Sequence, residues 1–220
     1  SLFFILGLYD DKKNINPNKK LILSTLFLLI LIFFNPSTIV SSFYIEIFRI
    51  NYSLGILSIP FTILCFLLFI NSFNMFDGIN MQSGLYACGI FIIFIFNKIF
   101  IFFSVLMLIG IILFLFKNFK GKIFLGDNGS LLLGFIISYL FIIDHNFQNT
   151  FTVEEIFLIM IIPGFELLRV AVSRIISKKH AFSPDRNHLH HFIISRFDSL
   201  SSAVVIIIIS FTPYILSKYV

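Results

Sequence analysis

Four short polar stretches interrupt a chain that is otherwise almost entirely apolar. They are Asp10-Asp11, then Asn71-x-x-Asn74-x-x-Asp77-Gly78, then Gly126-Asp127-Asn128-Gly129-Ser130, and finally Asp185-Arg186-Asn187-His188-Leu189-His190-His191. Each contributes at least one carboxylate, and four of the five histidines fall in or just before the last. Carboxylates mixed with amide oxygens suit a hard cation. Mg²⁺ is the best match, because it takes one or two protein carboxylates and completes its shell with water and substrate phosphate. Histidines and an arginine opposite such an ion would hold phosphate oxygens. A zinc site on His188, His190 and His191 is the competing reading, but no thiolate assists it and its surroundings are acidic.

Taken one at a time, each stretch has a plainer explanation. Asp10-Asp11 could end a helix at the water surface, and Asp77-Gly78 and Asp127-Asn128-Gly129 are common turn sequences. Asn71 and Asn74 could cap helices, and the histidines could form a solvated patch. The set is harder to dismiss than its members, since all four stretches fall on one side of the expected topology.

The elements that must position them are helices in a membrane. Of 220 residues, 58% are apolar and 12% charged, with 32 Phe and no Trp; soluble domains carry about 25% charged residues. A soluble enzyme, a disordered chain and a nucleic-acid-binding module are excluded, since a net charge of +5 dispersed along apolar segments makes no phosphate-tracking surface. Cys65 and Cys88 lie inside apolar runs and offer neither a disulfide framework nor metal spacing. Apolar runs at residues 21–34, 54–70, 84–96, 99–116, 131–143, 156–168 and 203–216 follow an opening run at 1–9, giving roughly eight transmembrane segments. Period-two alternation is absent from them, so the predicted fold is an all-α polytopic transmembrane bundle, a single membrane domain over residues 1–220. The opening run starts without Met and is too short to cross, so it reads as part of a helix begun further upstream.

Charge divides with the topology. Lys12, Lys13, Lys19, Lys20, Lys117, Lys120, Lys122, Arg174, Lys178, Lys179, Arg186 and Arg196 lie on the side of the polar stretches, against Arg49, Lys98 and Lys218 on the other. Twelve against three places the polar side in the cytoplasm. The long outer connection at 35–53 contains Ile39-Val40-Ser41-Ser42-Phe43-Tyr44-Ile45-Glu46-Ile47, which predicts a short hairpin or interfacial strand. Glu166 and Arg169 are spaced to pair on a helix that Pro163-Gly164 should bend or break.

The ordered motifs resemble the polyprenyl-phosphate N-acetylhexosamine-1-phosphate transferases, a group of glycosyltransferase family 4 that includes phospho-N-acetylmuramoyl-pentapeptide transferase. The resemblance rests on Gly7-Leu8-Tyr9-Asp10-Asp11 with Asn16-Pro17-Asn18-Lys19-Lys20-Leu21, Asn71 to Asn80, Phe124-Leu125-Gly126-Asp127-Asn128-Gly129-Ser130, and Pro184 to His191. His-Leu-His-His is closer to the branch that initiates surface polysaccharides than to the peptidoglycan branch, which has three consecutive histidines. Asn80 stands where the family often has a second Asp. The family usually has ten helices, so this chain would lack the first two and part of the third.

What the resemblance implies is transfer of a sugar-1-phosphate from a UDP-N-acetylhexosamine to polyprenyl phosphate in the bacterial inner membrane, with the active site facing the cytoplasm. It implies Mg²⁺ held by Asp127 and Asn74, Asp10, Asp11 and Asp77 in catalytic positions, and Asn71, Arg186, His188, His190 and His191 on substrate. No nucleic-acid partner is expected, and a homodimer is allowed but not specified. A secondary transporter is the alternative from another class; it would place polar groups near mid-membrane and show repeat symmetry.

Overall fold

The computed structural model describes residues 1–176 and 199–219. Eight helices run through these residues: α1 (Leu2–Lys13), α2 (Pro17–Phe34), α3 (Ser58–Phe76), α4 (Gln82–Phe96), α5 (Ile101–Phe119), α6 (Gly126–Phe147), α7 (Val153–Ile176) and α8 (Ser199–Ser217). Helix is the form that satisfies every main-chain N–H and C=O without water. Six of the eight are long and apolar enough to cross a bilayer; α4, at 15 residues, and α1, at 12, are shorter. The polytopic helical bundle expected from the sequence is what forms.

Helix α6 is the central element. It packs against both α1 and α3, α3 also packs against α7, and α4 joins α5 and α8. Ring-on-ring packing fills the larger core: Tyr86 stacks on Phe211 with centroids 5.1 Å apart, and Phe94 meets Phe141 edge-on at 4.9 Å. A smaller core of Phe3, Leu6, Leu28, Phe66, Ile70 and Leu131 joins α1, α2, α3 and α6. Lipid rather than water fits the outward faces, where Phe33, Phe96 and Phe102 are at least 80% exposed.

Of the two forms expected around 39–47, a hairpin or an interfacial strand, the hairpin forms, but over residues 42–53, with strands β1 (Ser42–Ile45) and β2 (Ile50–Ser53) antiparallel and Ser42 opposite Ser53. His145 Nε2 lies 2.9 Å from the Ser42 carbonyl and ties the hairpin to the end of α6. Lys218 pairs with Glu155 at the same end of the bundle.

One expectation needs correction. Of the two outcomes expected at Pro163-Gly164, a bend or a break, the break does not occur, because α7 is helical from Val153 to Ile176. Proline has no N–H to give the carbonyl four residues back, which here is that of Ile159. The Tyr86 hydroxyl on α4 donates to that carbonyl at 2.6 Å, deep in the core. The orphaned acceptor is thereby satisfied from a neighbouring helix, one of the ways membrane helices tolerate proline. Glu166 and Arg169 pair as expected, through two hydrogen bonds of 3.0 and 2.8 Å.

Candidate active site

The C-terminal ends of α1 and α3 and the N-terminal ends of α2 and α6 converge at one end of the bundle. Asn16 caps α2, its side chain accepting from the Asn18 N–H at 2.9 Å with Pro17 at the first helical position. That cap starts α2 where Lys20, one turn in, faces α1 and α6. Lys20 Nζ lies 2.7 Å from Asp10 Oδ2 and 3.0 Å from Asp127 Oδ2, bridging two carboxylates 117 residues apart in sequence.

Asp10 is buried and fully engaged. Its main-chain carbonyl accepts from Asn14 N–H at 2.8 Å, Oδ1 accepts from Ile15 N–H at 2.6 Å, and Oδ2 meets Lys20. Its carboxylate therefore shapes the α1–α2 turn, in which Asn14 takes a left-handed φ of 47°.

Asp11 does something different. Its Oδ1 accepts from the Asp127 N–H at 2.9 Å and its Oδ2 from the Asn128 N–H at 3.2 Å. These are first-turn N–H groups of α6 with no intrahelical acceptor, and a carboxylate there also meets the positive end of the helix dipole. Two glycines allow the approach. A Cβ on Gly7 would sit 2.3 Å from the Asn128 Cα, and one on Gly126, where φ is +66°, would sit 2.9 Å from Asp11 Oδ2.

From α3, Asn74 Nδ2 donates to Asp127 Oδ1 at 2.6 Å and to Ser130 Oγ at 2.7 Å. Neither Asn74 nor Asp127 is a turn or N-cap residue: Asn74 lies in the last turn of α3 and Asp127 in the first turn of α6. Asn71, one turn earlier on α3, donates instead to the Leu67 carbonyl at 2.7 Å. Asp77 closes α3. Burial pushes its carboxyl up to about 6, and the negative charges of Asp127 and Asp11 add to that effect.

Asp77 also borders a cavity of about 300 Å³ shared with Gly78, Asn80, Met81, Asn118 and Phe124. Asn118 fixes two of its walls, accepting from the Met81 N–H at 2.6 Å and donating to the Ile123 carbonyl at 2.8 Å.

Asp10, Asp11, Asn74 and Asp127 are thus joined by direct contacts and Asp77 by charge, whereas the Asn71 amide donates within α3. Arg186, His188, His190 and His191 lie outside the described residues. Sequence reasoning missed Lys20 and Asn118. Lys20 stands in the Asn16–Leu21 motif and among the basic residues of the polar side without a role of its own there, and Asn118 carries no motif.

The donor set fits a magnesium ion in one particular way. Among the described residues no three His, Cys, Asp or Glu side chains form a metal cage. What exists is a group of carboxylates, Asp10, Asp11 and Asp127, gathered about the single ammonium of Lys20, with Asp77 close enough to feel the charges of Asp127 and Asp11. That suits an ion taking one or two protein oxygens and the rest from phosphate and water.

Known proteins with similar sequences can be set beside this geometry. The family model described as glycosyl transferase family 4 matches residues 1–145. A Bacillus subtilis protein named "Probable undecaprenyl-phosphate N-acetylglucosaminyl 1-phosphate transferase" is 27% identical over 219 residues, covering 96% of this chain and 61% of its own length. Undecaprenyl-phosphate alpha-N-acetylglucosaminyl 1-phosphate transferase of Thermotoga maritima is 26% identical over 212 residues, covering 93% of this chain and 62% of its own. The Escherichia coli K12 protein of that name is 27% identical over 151 residues, 63% of this chain and 41% of its own. The chain thus spans about three fifths of the length of the first two relatives. With the matched region holding Asp10, Asp11, Asn74, Asp77 and Asp127, the chain belongs to glycosyl transferase family 4.

Proposed function

We propose that the protein transfers N-acetylhexosamine-1-phosphate from a UDP-sugar to polyprenyl phosphate, releasing UMP, at the cytoplasmic face of a bacterial plasma membrane as the first step of a surface polysaccharide. The observation that carries this reading is the contact set around Asp127, which draws α1, α2, α3 and α6 to one point at the end of an apolar bundle. The names of the relatives support the lipid acceptor and the sugar-phosphate class. Polar groups meeting at helix ends favour an enzyme over a transporter, whose site would lie near the midplane.

The reaction joins two anions. A lipid-phosphate oxygen attacks the sugar-linked β-phosphorus in line, the bond from that phosphorus to the bridging oxygen breaks, and UMP departs with the electron pair. Mg²⁺, when bound, would neutralise the diphosphate and stabilise the leaving oxygen. Asp127 would hold it, with the Asn74 amide oxygen as partner.

Asp11 keeps the Asp127 main chain in place through two N–H groups, a positioning role. Asp10 holds the α1–α2 turn and Lys20. Neither is needed as a base, because a phosphate monoester with a second pKa near 6 is already largely dianionic at neutral pH. Asp77 and the cavity beside it would receive the nucleotide. Arg186, His188, His190 and His191 would bind diphosphate oxygens.

The test is to incubate the full-length protein in detergent with polyprenyl phosphate and a panel of UDP-N-acetylhexosamines. UMP release that requires both the lipid and Mg²⁺, and disappears in Asp127→Ala, is the expected result. No release with any UDP-sugar, beside an active relative under the same conditions, would overturn the reading.

A further inference from the structure

Both oxygens of the Asp127 carboxylate are already engaged, Oδ1 by Asn74 Nδ2 at 2.6 Å and Oδ2 by Lys20 Nζ at 3.0 Å. Each oxygen keeps a second lone pair, so a cation that reaches this carboxylate arrives either beside these donors or in place of one of them. Asn74 is anchored a second time, to Ser130 Oγ, and its amide can turn to offer oxygen instead of nitrogen. Lys20 cannot, since an ammonium has three donors and no acceptor.

Its position is that of a bridging cation, 2.7 Å from Asp10 Oδ2 and 3.0 Å from Asp127 Oδ2, with its side chain 14% exposed. The two carboxylates also meet each other through a side-chain hydrogen bond, and the ammonium is the positive charge shared between them. An ammonium and a divalent ion on the same carboxylate oxygen would repel each other in a half-buried setting where water screens poorly.

We propose that Lys20 is the resident counter-ion of the Asp10–Asp127 pair and that a divalent cation binds at Asp127 by exchange with it. This rests on the metal reading given above and adds the residue that sets how tightly the ion is held. Lys20 keeps the acidic site folded when no metal is bound, and it weakens metal binding until a phosphorylated substrate arrives. The flexible four-carbon stem lets the displaced ammonium move to phosphate oxygens, a strong charge-assisted partner. Metal and diphosphate then bind with positive coupling, because the substrate supplies the alternative partner that Lys20 needs.

The experiment is a titration of the full-length protein in detergent with Mn²⁺, following free ion by electron paramagnetic resonance, for wild type, Lys20→Met, Lys20→Gln and Lys20→Arg. Removal of the ammonium should tighten Mn²⁺ binding about tenfold in both neutral variants, while Lys20→Arg stays near wild type; one pKa-unit-sized interaction corresponds to that factor. Adding UDP should tighten Mn²⁺ binding in wild type and much less in Lys20→Met.

Thermal melting supplies the second readout. Metal-free Lys20→Met should melt below wild type, and Mn²⁺ should remove most of the difference. Mn²⁺ binding that is unchanged or weaker in both neutral variants, or a melting deficit that Mn²⁺ leaves in place, overturns the proposal and leaves Lys20 as a packing residue. Wild type that takes up no Mn²⁺ sensitive to Asp127→Asn would instead remove the metal reading itself, and this inference with it.

Discussion

Asp11 and Asp127 meet through side chain and main chain rather than carboxylate to carboxylate: Asp11 Oδ1 accepts from the Asp127 N–H at 2.9 Å, and Oδ2 accepts from the neighbouring Asn128 N–H at 3.2 Å. The second aspartate of the pair therefore sets where α6 begins, and through it where the Asp127 side chain points. Asp11→Ala should lower kcat roughly 10- to 100-fold, the scale of a misplacement near 1 Å. Asp11→Asn, which keeps one oxygen acceptor, should recover part of the loss. Steady-state kinetics of the two variants checks this; equal and complete loss in both would mean that the charge itself acts on substrate.

The Asp77 carboxyl, raised to about 6 by burial and by its acidic neighbours, makes stability depend on pH with a definite sign. Between its ordinary value of 3.8 and about 6 the folded protein binds more protons at this group than the unfolded chain does. The contribution is fully present below the lower value and lost as pH rises through the upper. Metal-free protein should thus lose melting temperature through this group from about pH 4 to 6, by a few degrees, and Asp77→Asn should flatten that slope. A divalent cation should stabilise wild type more at pH 7.5 than at pH 5. Melting curves across this range, with and without Mg²⁺, read both effects.

Tyr86 and Pro163 are a coupled pair. Tyr86→Phe leaves the Ile159 carbonyl buried without a donor and should cost about 1–3 kcal/mol. Pro163→Ala restores the main-chain N–H, so in that background Tyr86→Phe should cost much less. A double-mutant cycle on chemical or thermal stability measures the difference; additive losses would show that the hydroxyl and the proline act separately.

Gly7 tests the packing that brings α1 to α6. Since the obstructing atoms are the Asn128 main chain, at 2.3 and 2.4 Å from a Cβ, nothing there can swing aside. Gly7→Ala should cost about 1–3 kcal/mol as α1 shifts outward, and should lower kcat by displacing Asp11. Wild-type melting and kinetics in this variant would show that the close approach is not required.

Much of this architecture is legible in the residues themselves. Apolar runs locate the helices, the residues at 39–47 mark the connection that holds the hairpin and contain its first strand, and the acidic stretches locate one end of the bundle. What is not legible is how those stretches interlock. Asp11 reaches main-chain donors 116 and 117 residues away, and no side-chain type at 127 or 128 announces that. Lys20 looks like its neighbours Lys12, Lys13 and Lys19 until its ammonium is placed between two carboxylates. Pro163 signals a break because local rules know nothing of a hydroxyl arriving from α4. In each case a long-range contact decides the outcome, and sequence spacing carries no information about it.

The central claim is that the separated polar stretches surround one divalent ion. Fe²⁺ substituted for Mg²⁺ in the full-length protein, with ascorbate and peroxide, generates hydroxyl radicals that cut the main chain close to the metal. The account predicts cuts clustered near residues 10–11, 74–77 and 126–128, suppressed by excess Mg²⁺ and absent in Asp127→Ala. Cuts confined to one stretch, or a pattern unchanged by Asp127→Ala, would contradict it.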